Sequence, residues 1–146
     1  VNNAVCGGVG GVGYDAGIMG SAAIHQFVRI GHAALVGGVA GVEADVIPYG
    51  SVLGNRARLI GLHWIWLRRN GVQSHDIHDM RRAFLTLYPK NGGDAPFAAR
   101  PEAVRPGFSP NVRIPEILAF IDAPRRRGLV RPGRGDASGL GSQARE

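Results

Sequence analysis

The sequence predicts a β-solenoid joined to α-helices: a parallel β-helix of six-residue repeats followed by a C-terminal α-helical domain. Three observations carry this expectation. Val12, Ile18, Ile24, Ile30, Val36 and Val42 recur at an unbroken spacing of six, which is neither the helix period nor the strand period. Gly7, Gly13, Gly31 and Gly37 follow that column, or Cys6 in the first case. Beyond Pro48 the apolar residues change to steps of three and four, which is helical periodicity.

Each element follows from these patterns. In a six-residue solenoid every repeat supplies a short strand and a corner, and three repeats close one triangular coil. Val and Ile suit the inward column because their stiff χ1 packs well on a stacked, pleated surface. Glycine is expected after them because a tight bend is easiest without a Cβ. The coils are assigned to residues 1–48, ending at Pro48, which cannot donate in a strand ladder. A C-terminal helical domain is assigned to residues 49–130. Within it Leu59, Leu62, Trp66 and Arg69 mark a first helix that Gly71 stops. Trp64 and Trp66 are expected to pack on the end of the prism. A second helix starts with Ser74 as N-cap and Asp76 in its first turn, carries Ile77, Met80, Phe84 and Leu87 as its stripe, and stops at Pro89. Residues 89–112 hold five prolines and no stripe and are expected to be an irregular connector. Pro115 suits the first turn of a helix running to Asp122, with Ile117, Leu118 and Ile121 turned inward. Residues 131–146, rich in Gly, Ser and Arg, are expected to be a disordered basic tail.

Composition narrows the function classes. A hydrophobic fraction of 45% with 19% charged residues describes a folded domain, and no apolar run reaches the roughly 18–20 residues that cross a bilayer. The net charge of +6 suggests nucleic acid until it is located: residues 123–146 carry +4 of it. A solvated tail therefore accounts for most of the positive charge, and no nucleic-acid partner is expected. Cys6, the sole cysteine, falls in the inward column, which predicts a buried, inert thiol and a reducing, cytoplasmic setting. Val1 is preceded by neither an initiator Met nor a basic leader, so the chain reads as a piece of a longer protein. His75 and His78, lacking a third ligand at suitable spacing, are expected to face solvent and not a metal.

One family fits several short motifs at once. The chain carries N-N-A at residues 2–4, H-Q-F-V-R-I-G at 25–31, G-G at 37–38, G-V at 41–42, D-V-I-P-Y at 45–49, G-N-R-A at 54–57 and L-R-R at 67–69, then A-F-I-D at 119–122 and R-R-G-L at 126–129. In this order they resemble the acyl-carrier-protein-dependent UDP-N-acetylglucosamine O-acyltransferases of lipid A biosynthesis. The resemblance runs from residue 2 to 129, with a gap across the connector, and points to a left-handed parallel β-helix (hexapeptide repeats) followed by the C-terminal α-helical domain.

The resemblance implies a homotrimer that moves a 3-hydroxyacyl group from acyl carrier protein to the 3-hydroxyl of UDP-N-acetylglucosamine, in clefts between neighbouring β-helices. It implies no metal or redox cofactor. A histidine would act as general base on the sugar hydroxyl, and a backbone N–H would stabilise the oxyanion. The base of the family lies about one coil ahead of the N-N-A run, at no position of this sequence. Gly8 matches the oxyanion glycine, and Val9 stands where the family usually has a substrate-orienting histidine. His25 and Gln26 match the pair that lines the sugar-nucleotide and acyl site. Gly38 matches the position that measures the acyl chain. Arg69 matches a basic residue that contacts ligand phosphate or carrier, while His63, Ile65 and Asn70 replace the polar, acidic and second arginine residues usual nearby. Two other classes stay open: a non-catalytic trimerisation remnant, and a metal-dependent hexapeptide enzyme, for which the coils offer only His25 and His32.

An aspartate in place of Ile24 is expected to destabilise the protein by several kcal/mol, because a charge on a dry axis has no partner. Unchanged thermal melting of Ile24→Asp would show that the column does not point inward.

Overall fold

The protein was analysed as a computed structural model, which describes residues 3–107 and 111–133. Seven two-residue strands occur at the six-residue spacing: β1 (Val5–Cys6), β2 (Gly11–Val12), β3 (Gly17–Ile18), β4 (Ala23–Ile24), β5 (Arg29–Ile30), β6 (Leu35–Val36) and β7 (Gly41–Val42). Pairing is parallel and skips two strands each time, so Cys6 lies beside Ile24, Val12 beside Ile30 and Ile18 beside Val36. The chain visits three sheets in turn and returns to the first after eighteen residues. Ile24, Ile30, Val36 and Val42 are buried, as the spacing predicts, and Ile18 packs against them half-buried.

The column opens toward its beginning. Val12 is 54% exposed and Cys6 is exposed, which corrects the expectation of a buried thiol. Both belong to the outermost strands of their sheets. Burial of an inward residue depends on the layers stacked on either side, and among the described residues these two have a layer on one side only.

The glycines serve a different end from the one expected. Backbone with positive φ at the corners is supplied by Asp15, Ser21, Phe27, Ala33 and Val39, again six apart. Each costs about 1–2 kcal/mol for a residue with a Cβ, and cross-coil hydrogen bonds offset part of it. Ala33 N–H donates to Tyr14 O at 2.7 Å and Val39 N–H to Gly20 O at 3.0 Å, while Phe27 N–H donates to Val9 O. Gly31 is required by close approach: a Cβ there would stand 2.3 Å from the Pro48 nitrogen.

Past β7 the rhythm shortens. Ile30 bridges Val46, and β8 (Gly50–Leu53) pairs parallel with β6, Val36 beside Val52, an offset of sixteen in place of eighteen. The parallel ladder therefore continues beyond Pro48 through β8. The chain then folds back as β9 (Arg58–Leu62), antiparallel to β8. Leu59 and Leu62, read as helical, lie in this strand and are buried. Residues three apart normally face opposite sides of a strand, but a register shift between Ser51 and Val52, with Gly61 at φ 152°, turns both inward. The helix begins only afterwards, as α1 (Trp64–Arg69). Gly71 at φ 71° ends it, and Val72 N–H reaches back to Leu67 O at 3.1 Å.

α2 (Ser74–Leu87) has the expected stripe, with Met80, Ala83, Phe84 and Leu87 buried and Asp76 in the first turn. Its N-cap is Gln73, and Ser74 is the first helical residue. The connector is more ordered than its prolines suggest. α3 (Arg100–Val104) forms within it, between two short 3₁₀ turns, and buries Pro101 and Val104. Arg100 braces it by donating to Leu87 O at 3.1 Å and Ala95 O at 3.0 Å, satisfying a carbonyl left open at the end of α2. α4 (Arg113–Asp122) buries Ile114, Ile117, Leu118 and Ile121. One apolar cluster runs from Ala22 in the coils to Val130 after α4. Among the described residues no helix is long and apolar enough to cross a membrane. Most of the tail assigned to 131–146 lies outside the described residues, which end at Gly133.

The Tyr88 ring packs between Phe84 and Phe97 with its buried hydroxyl lacking a partner among the described residues. Burial raises the tyrosine's ionisation above its ordinary 10.0. A raised folded value contributes stability that is complete below about pH 10 and is lost as pH climbs past it. Tyr88→Phe is expected to gain about 1 kcal/mol at neutral pH, since an unsatisfied buried hydroxyl is removed, and to lose less stability above about pH 10 than the wild type. Denaturant titrations at neutral and alkaline pH check both statements.

Candidate functional site

The corner after β1, β4 and β7 gathers three of the predicted residues. Gly8 lies one position past Gly7, where a Cβ would stand 2.5 Å from Gln26 N. His25 and Gln26 follow β4 at the same corner one coil later, and both are exposed. A side chain on Gly8 would meet nothing within 4 Å, so the space at its Cβ position is open. Val9, beside it, is 62% exposed.

Two residues that sequence reasoning left unassigned complete this corner. Arg127 donates from Nε to Gln26 O at 3.1 Å, and its Nη2 lies 2.5 Å from His25 Nδ1. The Arg126 guanidinium lies over the Phe27 ring, 4.6 Å from its centre. Nothing in the spacing of the sequence signals these contacts, which span about a hundred residues.

What brings the arginines there is the aspartate of D-V-I-P-Y. Asp45 is fully buried and accepts from Arg29 N at 2.8 Å and from Arg29 Nε at 2.7 Å. Its own backbone bridges the segment after α4, Asp45 N–H to Gly128 O and Val130 N–H to Asp45 O, each at 2.8 Å. Arg29 in turn donates to Phe120 O at 3.1 Å and stacks 4.2 Å above the Phe120 ring. Asp45 thus ties α4 to the coils through Arg29 and the segment after α4 through its own backbone, and residues 126 and 127 lie on the corner within that segment. Beside it, an open cleft of about 260 Å³ is lined by Arg56, Arg58 and Arg131 with Glu43 and by apolar residues such as Leu129 and Val130.

The remaining predicted residues lie elsewhere. Gly38 is exposed at the corner after β6, where a Cβ would rest in ordinary contact, 3.5 Å from Gly20 O. His63 precedes α1 and its Nδ1 is 2.9 Å from Ala33 O; a carbonyl only accepts, so Nδ1 carries the proton and Nε2 is left as an acceptor. Arg69 is exposed in the last turn of α1, where a cation favours the helix dipole. His32, expected only as a possible metal ligand, instead contacts Glu116 at 2.9 Å, with Tyr49 donating to the same carboxylate and Trp66 edge-on at 5.4 Å. Burial, then the Glu116 hydrogen bond and charge, keep the Tyr49 phenol protonated far above its ordinary range. Among the described residues no three of His, Cys, Asp and Glu come together as a metal site would need.

Comparison with known proteins decides the lineage. Residues 45–130 match the family model described as UDP-N-acetylglucosamine O-acyltransferase, domain 2. The chain belongs to that family. It is 36% identical over 113 residues to an acyl-(acyl-carrier-protein)–UDP-N-acetylglucosamine O-acyltransferase of Bartonella henselae, covering 77% of this chain and 40% of that protein. A protein of the same description from Rhizobium leguminosarum is 40% identical over 116 residues, covering 80% and 42%. The chain therefore spans about two-fifths of the length of these relatives. Among solved structures, the Arabidopsis UDP-N-acetylglucosamine acyltransferase superposes with a TM-score of 0.80 at 28% identity, over 88% of this chain and 47% of that one. The Moraxella catarrhalis UDP-N-acetylglucosamine O-acyltransferase gives 0.82 at 26%, over 89% and 49%. The Francisella novicida enzyme shares the fold over 99% of this chain, with a TM-score of 0.81 at 21% identity.

Asp45→Asn is expected to lower stability by about 3 kcal/mol, because it leaves the Arg29 guanidinium short of its counter-charge inside the fold. Urea unfolding of the variant checks this, and a change near zero would mean the ion pair does not fasten the helices.

Proposed function

We infer that this chain forms part of an acyltransferase that moves a 3-hydroxyacyl group from acyl carrier protein to the 3-hydroxyl of UDP-N-acetylglucosamine, the first step of lipid A biosynthesis. The observation that carries this reading is the corner at which Gly8, His25 and Gln26 stack in successive coils within a chain of this family. Gly8 would offer its backbone N–H to the thioester oxygen as charge develops there. His25 and Gln26 would line the sugar-nucleotide and acyl site, Gly38 would leave room for the acyl chain, and Arg69 with His63 would meet ligand phosphate or the carrier. The general base of the family corresponds to none of these 146 residues, so the chemistry needs a histidine beyond them.

The coils assigned to residues 1–48, with β8 continuing their ladder past Pro48, are read as a left-handed parallel β-helix, and the helical domain follows β9 to residue 130. A homotrimer is the proposed assembly, because Gly8 and His25 share one corner while Gly38 and His63 lie at others; a cleft between protomers is the arrangement that lets different corners face one ligand. The acidic carrier would approach a basic surface, and both substrates place the reaction in the cytoplasm. A second reading, a trimerisation module without catalysis, draws on Val9, an exposed aliphatic where the family usually orients substrate with a histidine.

UDP-N-acetylglucosamine is expected to bind this chain, and His25→Ala to weaken that binding about tenfold through the loss of a ligand hydrogen bond. Calorimetry measures the affinity, and no heat of binding would favour the module without catalysis. Incubation with 3-hydroxyacyl carrier protein and UDP-N-acetylglucosamine is expected to give no acylated sugar nucleotide. Measurable transfer by these residues alone would mean that the base lies among them.

A further inference from the structure

An arginine N–H donates and never accepts, and this settles the proton on a histidine it touches. Arg127 Nη2 lies 2.5 Å from His25 Nδ1. That nitrogen must present its lone pair, so the neutral ring carries its proton on Nε2. One contact pulls the other way: His25 Nδ1 is 3.3 Å from Gln26 O, an acceptor that would prefer a proton on Nδ1. The Arg127 contact is shorter and charge-assisted, and Arg127 Nε already donates to that carbonyl at 3.1 Å.

We propose that Arg127 is a positioning residue that holds His25 as the Nε2–H tautomer, so that the ring meets its ligand as a hydrogen-bond donor and not as a base. The inference rests on the reading of His25 as a ligand contact. Its chemical consequence is a division of labour: His25 orients an oxygen acceptor of the sugar nucleotide, and proton removal from the hydroxyl falls to another group. The arm that delivers Arg127 is held at both ends. Arg126 lies over Phe27 on the near side, and the Asp45 backbone pairs with Gly128 and Val130 immediately after it. The guanidinium therefore reaches the ring from a fixed backbone.

Nitrogen-15 NMR of the imidazoles separates the tautomers, with His25 identified through His25→Gln. In the wild-type protein Nε2–H should outweigh Nδ1–H by about tenfold or more. Arg127→Leu should let the Nδ1–H form, now free to donate to Gln26 O, become a major species, whereas Arg127→Lys should keep Nε2–H dominant because an ammonium is still a donor. Arg131→Leu, which removes a charge from the same arm without releasing either of its two ends or touching the ring, should leave the tautomer as in wild type and serves as the control for folding and field effects. A wild-type ring with its proton on Nδ1, or an Arg127→Leu spectrum indistinguishable from wild type, would overturn the proposal. Addition of UDP-N-acetylglucosamine should shift the His25 Nε2 signal; the expected tautomers with no such shift would uphold the hold of Arg127 on the ring and remove His25 from the ligand site.

Discussion

Stacking of each backbone segment on the one eighteen residues before it is the constraint on which the molecule depends. The inter-coil hydrogen bonds follow that stacking, Gly7 N–H to Ile24 O and His25 N–H to Val42 O among them. Because the ladder fixes what lies above and below each position, a choice made in one coil binds the next. An inward residue must be an aliphatic that fills its layer, a corner must turn through positive φ, and the residue beside a neighbouring coil's backbone must lack a Cβ, as Gly31 does against Pro48. The same constraint explains why the strained corners persist: the energy of seating Phe27 or Val39 at positive φ is local, while the ladder that requires it is shared by every coil.

A ladder of this kind has no natural end, and the chain ends it with charge. Asp45 appears where the eighteen-residue rhythm breaks, and a carboxylate buried to that extent costs several kcal/mol unless it is fully paired. Its pairing recruits Arg29 from the coil below, Arg29 recruits Phe120, and the main chain of the same residue pairs with Gly128 and Val130 from the far end of the chain. The helices thus dock by polar geometry at this ion pair and where Glu116 of α4 meets His32 and Tyr49, and by apolar area elsewhere. Apolar contact alone would tolerate sliding of α4 on the coils, whereas a guanidinium held by Asp45 and donating to the Phe120 carbonyl favours one register.

These two regimes also explain what could be read from the sequence. The hexad column was legible because every coil repeats the same demand, and the stripe of α2 because one face of a helix meets one core. Leu59 and Leu62 misled because a bulge mimics helical spacing over three residues, and that bulge exists only in relation to β8. α3 was hidden by its prolines because the brace that stabilises it, Arg100 on the end of α2, is a contact between segments. Cys6 was misread because periodicity reports direction and not depth. For the site, motifs located Gly8, His25 and Gln26 together, but Arg127 was visible only as part of a run.

The coupling of the ion pair to the corner gives the D-V-I-P-Y motif a meaning distinct from catalysis. Asp45 touches neither His25 nor Gln26 in the described contacts, yet its backbone bridges the extended segment that begins one residue after Arg127. A change at Asp45 would be felt at the His25 ring through a rigid segment of few residues, with no need for a wider rearrangement. The apolar core cannot transmit so specific an adjustment, since aliphatic contacts have no preferred direction. In this fold the repeats provide a rigid wall, the backbone of Asp45 fixes where the C-terminal arm crosses it, and the arm determines which nitrogen of His25 bears the proton.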